Sequence, residues 1–322
     1  MVIRNRADVS VAGHALAFAA TLSGRQRSEL VRDYSVADAR RWSNYPEAVL
    51  APNGRVGLST ATLSERQWAA LHALLAVAMG AGEDQGHDEV RQHLAADDHL
   101  LALGGRHGYG RGNFRVAYLG EPSDSGRWRL QFGGHHLAIS LTYGDGLLVG
   151  ATPAFRGIEP FTPFVHDGVV CQPGRRKHAA LAAVLSSLRE SHVVTARVSG
   201  RHPDIVMGPG RDRRFPRSAA GIAGAALDSW QRTLLLEAIA AFVRDVDEAS
   251  ADRILSRYTD ELDATCLAFG GSVALGSAGD YVRIDGPSVW IEYSLHDGIV
   301  CAGPHPHSVW RDKRTDYGGV PA

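Results

Sequence analysis

The sequence predicts an α+β protein with an internal duplication, each half an amphipathic helical region followed by an antiparallel β-meander. Three observations predict it. Runs with helical periodicity precede glycine-punctuated runs of period-two alternation. That order occurs twice along the 322 residues. The turn chemistry also agrees between the two occurrences, with Gly144-Asp145-Gly146 in one and His296-Asp297-Gly298 in the other. Asp-Gly pairs favour tight hairpin turns.

Residues 9–34 and 36–42 carry helical patterns, the second ending near Tyr45-Pro46, and 51–57 form a loop with Pro52 and Gly54. Ser64 supplies an N-cap for a helix opening Glu65-Arg66-Gln67-Trp68. A second helix, about 86–96, follows the Gly80–Gly82 break. Beyond 104 the texture changes to strands over Phe114–Leu119, Trp128–Phe132, Leu137–Tyr143 and Leu147–Ala151, which Thr152-Pro153 ends. Residues 178–190 are helical. The Gly-, Pro- and Arg-rich stretch 199–221 reads as a long irregular loop, placed to act as a lid.

The pattern then restarts. A helix opens at Leu227-Asp228-Ser229-Trp230 and runs to about Val243, with Leu63 and Gln67 recurring as Leu227 and Gln231 at an offset of 164. Strands follow at Tyr281–Gly286, Val289–Leu295 and Ile299–Ala302. The organisation is an N-terminal helical segment (1–60), a first α+β half (61–198), the loop (199–221) and a second half (222–322), within one compact domain. One match does not fit a simple duplication: His166-Asp167-Gly168-Val169-Val170-Cys171 resembles His296-Asp297-Gly298-Ile299-Val300-Cys301 in a different register.

Composition excludes several classes. The net charge is -1, from 34 Lys+Arg against 35 Asp+Glu. That balance gives no basic face for nucleic acid or anionic lipid. Three cysteines without a CxxC spacing disfavour both a disulfide framework and a thiolate zinc site. Arg4 and Arg6 ahead of the apolar run Val11–Leu22 mimic a secretory signal, but Asp8, Gly13 and His14 break it. A short amphipathic helix and a cytoplasmic protein are expected. The stretch Gly104–Gly112 lacks the P-loop Gly-Lys-Ser/Thr and the βαβ context of a dinucleotide fold, so it reads as a flexible loop.

Of the fifteen histidines, two groups stand at ligand spacing. His166 and His296 open His-Asp-Gly turns and read as turn residues, and the others are scattered. The first group is His135-His136, after Gly133-Gly134. On a strand His135 shares a face with Leu137, Ile139 and Leu141, and His136 with Ala138, Ser140 and Thr142. A bulge at the glycines turns both rings to one centre. The second group is His305 and His307, flanking Pro306. At i and i+2 of an extended segment they share a face and converge on one ion; in polyproline geometry they diverge. Prolines confine such a segment to a sheet edge or a loop.

Imidazoles without thiolates suit Cu, Fe, Zn and Ni, so one transition-metal ion (Cu, Fe or Zn) is the expected cofactor. Its ligands are drawn from His135, His136, His305 and His307. Glu292 and Asp312 are candidates to orient a ligand or move a proton. Arg283 and Arg311 either anchor an anionic substrate group or join salt bridges with nearby aspartates. The other readings of the histidines are a metal-free acid/base cluster or satisfied core residues.

Gln131-Phe132-Gly133-Gly134-His135-His136-Leu137, Thr152-Pro153-Ala154-Phe155-Arg156-Gly157, Arg283-Ile284-Asp285-Gly286-Pro287, Ile291-Glu292, and His305-Pro306-His307-Ser308-Val309-Trp310-Arg311-Asp312 with Asp316-Tyr317-Gly318 resemble the hallmark segments of the uncharacterised DUF3500 family. The resemblance runs from about Trp42 to Gly319. It implies that the histidine segments matter to family members and implies no activity. The expectation is a metal-dependent enzyme acting on a small molecule, with redox chemistry at Cu or Fe ahead of zinc-dependent hydrolysis. The alternative from another class is a non-enzymatic ligand- or metal-binding protein.

Overall fold

Helices begin where a side chain can cap them. The computed structural model describes residues 10–50, 54–104, 108–200 and 202–319. Arg4, Arg6, Asp8, the first residue of the 9–34 pattern, Pro52 and Gly105-Arg106-His107 lie outside the described residues. Ser10 caps α1 (Val11–Ala20), and Ser23 starts α2 (Gly24–Leu30) with a reciprocal capping box to Gln26. The predicted helix over 9–34 is therefore two helices, because Ser23 satisfies a fresh set of N-terminal N–H groups. After β1 (Val31–Arg32), α3 (Val36–Ala39) is a single turn rather than the seven residues expected. β2 (Leu58–Ser59) leads to α4 (Glu65–Ala78), where Ser64 and Gln67 form the anticipated cap. α5 (Gly86–Ala102) runs six residues past its predicted end.

The strands follow: β3 (Arg115–Leu119), β4 (Arg127–Gly134), β5 (Leu137–Gly144), β6 (Leu147–Gly150) and β7 (Ala154–Gly157). Asp145-Gly146 closes the β5–β6 hairpin with φ of 49° and 76°, the left-handed pair that a type I′ turn requires. A separate hairpin, β8 (Phe164–His166) with β9 (Val169–Cys171), precedes α6 (Arg175–Ser186) and α7 (Glu190–Ala196). Then come β10 (Ile222–Ala223), α8 (Ser229–Val243) capped by Asp228 and Gln231, α9 (Glu248–Asp260) and β11 (Cys266–Gly270). The chain ends with β12 (Tyr281–Asp285), β13 (Val289–Asp297) and β14 (Pro304–Asp312). The predicted strand Ile299–Ala302 does not form. Those residues belong to the β13–β14 turn, where the Glu159 carboxylate accepts from the Ile299, Val300 and Cys301 N–H groups at 2.7–2.8 Å.

Among the described residues, twelve strands form one sheet in the order β1-β3-β4-β5-β7-β14-β13-β12-β11-β10, with β2 also on β3 and β6 on β5. Both stretches of sequence that carry meanders thus contribute to one sheet, joined at the centre by the antiparallel β7–β14 pair. On each side the same devices recur. Gly57 and Gly221 have φ of +103° and +109°, and a Cβ on either would meet a carbonyl oxygen at 2.2 Å (Val116 and Leu267). Each glycine is followed by a two-residue strand, a short 3-10 turn and a helix with a capping box.

Period-two alternation sorts the sheet into two faces. Phe132, Leu130, Ile139, Leu141, Ile291, Tyr293 and Trp310 face the helices and form the main core with α1, α4, α6 and α8. On the opposite face Ala138, Phe155, Trp290 and Val309 are covered by Trp42 and Met207 from two irregular segments. The described residues of the 199–221 stretch are irregular as expected, and Met207 among them seals this face.

Candidate metal centre

His135 and His136 are not strand residues on opposite faces. Gly134 pairs with Leu137, so the two histidines are the two-residue turn between β4 and β5. His136 has φ +58°, which costs about 1–2 kcal/mol for a residue with a side chain. The conformation is held on both sides of the residue. The His136 N–H donates to the Asn44 carbonyl (3.1 Å), and its carbonyl accepts from the Gly157 N–H (2.7 Å).

His305 and His307 sit in β14, inside the sheet rather than at its edge. Strand alternation puts them on one face, and β13 pairs with β14 over nine positions from Val289–Asp312 to Asp297–Pro304. Pro306 is tolerated because β7 ends at Gly157, opposite His307. Its carbonyl accepts from Ile158 beyond that end, and its missing donor faces the same side.

The β7–β14 pairing brings the turn and the strand together. His136 Nε2 and His307 Nε2 are 3.2 Å apart across 171 residues of sequence. His305 completes the group, with one ligand nitrogen from each ring within 4.8 Å of the others. All three are buried, at 7%, 3% and 9% exposure. His305 Nδ1 is buried with no hydrogen-bond partner. An unpaired polar atom in such a place costs about 1–3 kcal/mol.

His135 lies beside the group without joining it. Its ring stacks on His136 at 3.7 Å, and its Nδ1 bonds Asp97 Oδ1 at 2.6 Å. Asp97 Oδ2 also accepts from the Gly110 N–H. On the other side of the cluster, Asp204 of the covering segment reaches His307 Nδ1 at 3.1 Å. Burial acts to raise the Asp204 carboxyl, but the His296 and His307 imidazoles outweigh it and hold it well below the usual carboxylate range. Sequence reading missed Asp97, Asp204 and His296. Glu89, His93 and Asp97 recur at spacings of four on the buried face of α5, a legible signal for Asp97. Asp204 stands in irregular chain, where spacing carries no such information.

The remaining candidates are placed elsewhere. Glu292 is buried and accepts from Tyr281 Oη (2.6 Å), Trp290 Nε1 (2.8 Å) and the Val206 and Met207 N–H groups (2.7 and 2.8 Å). It fastens the covering segment to the sheet. Arg311 does the same through Asp212, Asp316 and the Met207 carbonyl. Asp312 points to the helical face, where it accepts from Tyr258 Oη at 2.7 Å and pairs with Arg257. Arg283 lies over the Trp290 ring at 5.3 Å.

Gly157 leaves the space the two rings occupy. A Cβ there would meet His136 Cδ2 at 2.7 Å and His307 Cδ2 at 3.0 Å. Gly157→Ala is expected to destabilise the fold by about 1–3 kcal/mol through overpacking and to weaken metal uptake at least tenfold. Chemical denaturation and metal titration measure both, with Gly24→Ala, which meets nothing within 4 Å, as the control. A Gly157→Ala protein matching the parent in both would show that the rings have room to spare.

Burial, followed by neighbouring imidazoles, lowers His136 and brings His305 to about 3. Burial also brings His93, on α5, to about 3. The folded protein therefore resists protonating these rings, whereas the unfolded chain takes up protons below about 6.5. Stability is expected to fall as pH drops from about 6.5 towards 3, by about 1.4 kcal/mol per pH unit for each such histidine. Urea midpoints of the metal-free protein at pH 7 and pH 5 measure this, and equal midpoints would contradict it.

Among the described residues no helix is long and apolar enough to cross a membrane. No curated protein and no solved structure matches the chain. A family model described as Protein of unknown function (DUF3500) matches residues 5–319, and the chain belongs to that family.

Proposed function

We propose that this protein is a metal-dependent enzyme whose centre is His136, His305 and His307. One observation carries the reading. Two imidazole nitrogens stand 3.2 Å apart, and the buried His305 ring completes a group whose ligand nitrogens all lie within 4.8 Å of one another. Two nitrogens on one ion, with bonds of about 2.0–2.1 Å in tetrahedral array, are about 3.3 Å apart. Three protein ligands leave a position open for water, O₂ or substrate, the arrangement expected of a reactive rather than a purely structural ion. Asp204 on His307 supplies a carboxylate that orients a ligand, and Asp97 holds the His135 ring that stacks against His136.

The substrate is a small molecule, admitted past the 202–216 segment. The thiolate-free set suits Cu, Fe and Zn, and the affinity order favours Cu, so redox chemistry at Cu or Fe is the first reading. Zinc-dependent hydrolysis is the second, favoured by the tetrahedral spacing of His136 and His307. A cytoplasmic setting fits the unpaired cysteines among the described residues. The matched glycines and capped helices on the two sides of the sheet support descent from a duplicated unit. Failure of the two sides to superpose, β3 on β11 and β5 on β13, would reject that descent.

The test is elemental analysis of protein purified without a metal-binding tag. Near-stoichiometric copper or iron, with O₂-dependent turnover, supports the redox reading. Colourless zinc-loaded protein moves the chemistry to hydrolysis. No metal, even after reconstitution with each ion, overturns the proposal.

A further inference from the structure

We infer that a second divalent cation binds beside the first, held by Asp204 Oδ1, His296 Nε2 and His307 Nδ1, so that the His307 ring lies between two ions. The inference rests on the reading of His136, His305 and His307 as a metal centre.

His307 turns its two nitrogens in different directions. Nε2 faces His136 at 3.2 Å, and Nδ1 faces Asp204 Oδ1 at 3.1 Å. His296 pairs with His305 across the β13–β14 ladder and stands on the same face. Its Nε2 is 3.2 Å from the same Asp204 oxygen. The three residues form a group whose ligand atoms lie within 4.8 Å of one another. The two separations from Asp204 Oδ1, 3.1 and 3.2 Å, match an edge of a coordination polyhedron, about 3.3 Å for a tetrahedral ion.

Hydrogen bonding alone accounts less well for the arrangement. His296 Nε2 is buried and has no aligned hydrogen-bond partner, although Asp204 Oδ1 is so near. That nitrogen is thus available to an ion placed beside Asp204 and His307. Asp204 sits on the covering segment with its side chain 43% exposed, and its Oδ1 also accepts from the Ile205 N–H at 2.6 Å. A carboxylate with imidazoles is a donor set for Zn, Cu or Fe. Filling both positions needs the His307 Nδ1–H proton to leave for solvent, since each ring nitrogen then carries an ion. The centre holds one carboxylate for two ions, so further negative charge has to come from bound hydroxide or an anionic substrate.

The test titrates the metal-free full chain with Cu(II) and, separately, Zn(II), following stoichiometry by calorimetry and elemental analysis. The parent should bind two ions. Asp204→Asn and His296→Ala should each bind one. In the copper-loaded parent, two Cu(II) ions coupled through one ring should give an electron paramagnetic resonance intensity well below the copper content. The single-ion variants should recover the full signal. One ion in the parent, with Asp204→Asn only loosening it some 10–100-fold, would leave the three-histidine centre standing and overturn the second position. Two ions retained by both variants would overturn the assigned ligands. No ion at all would overturn the centre itself.

Discussion

His307→Ala is expected to empty the centre. The ring faces His136 through Nε2 and Asp204 through Nδ1, and it belongs to both candidate ligand groups. No neighbouring side chain replaces it, because β14 alternation turns Pro306 and Ser308 to the other face. Loss of a carboxylate that merely orients a ligand costs about 10–100-fold in metal affinity, so removal of this ligand should exceed about 100-fold. Metal content should fall below detection while the fold persists, since β14 keeps its ladder on β13 and β7. Elemental analysis with far-ultraviolet circular dichroism measures both. A folded His307→Ala protein with parental metal content would place the ion elsewhere.

The second large effect concerns Glu292. Its carboxylate is buried and accepts four hydrogen bonds, two of them from the Val206 and Met207 backbone. Burial, opposed by these donors, leaves its carboxyl raised from the ordinary range. Glu292→Ala strands four donors at once, three of them buried. The expected cost is about 3–5 kcal/mol, in the range for removing one side of a buried charged network. The loss concentrates in the covering segment, which carries Asp204 into contact with His307. The variant should therefore lose stability and be cut faster by trypsin at the already exposed Arg211, Arg213 and Arg214, as the segment around them loosens. Glu292→Gln keeps the shape and two acceptor sites, and should fall between. Unchanged urea midpoints and an unchanged digestion pattern in Glu292→Ala would mean that the segment is held by Arg311 and its apolar contacts alone.

These expectations separate Glu292 from the chemistry that sequence alone offered it. Spacing cannot distinguish a carboxylate facing an ion from one receiving backbone N–H groups, because the two backbone partners of Glu292 lie 85 and 86 residues away. Asp312 illustrates the same limit. It stands five residues from His307 in β14, yet alternation turns it to Tyr258 and Arg257 on the helical face.

What the sequence by itself determined is local. Ser64 with Gln67, and Asp228 with Gln231, start helices because a side-chain oxygen three residues upstream satisfies the first free N–H groups. Asp145-Gly146 closes a hairpin because those residues accept positive φ. His305 and His307 share a face because a strand repeats every two residues. The tertiary structure decided the rest. Two adjacent histidines with glycines before them are consistent with a bulged strand; only the Gly134–Leu137 pairing makes them a turn. The meeting of His136 with His307 depends on β7 lying against β14, and on Gly157 offering no side chain where the rings pass. Asp204 reaches them because Glu292 and Arg311 pin its segment down. The β7–β14, His136–His307, Asp204, Glu292 and Arg311 contacts join residues more than eighty positions apart, and their energy comes from burial and pairing that no local pattern records.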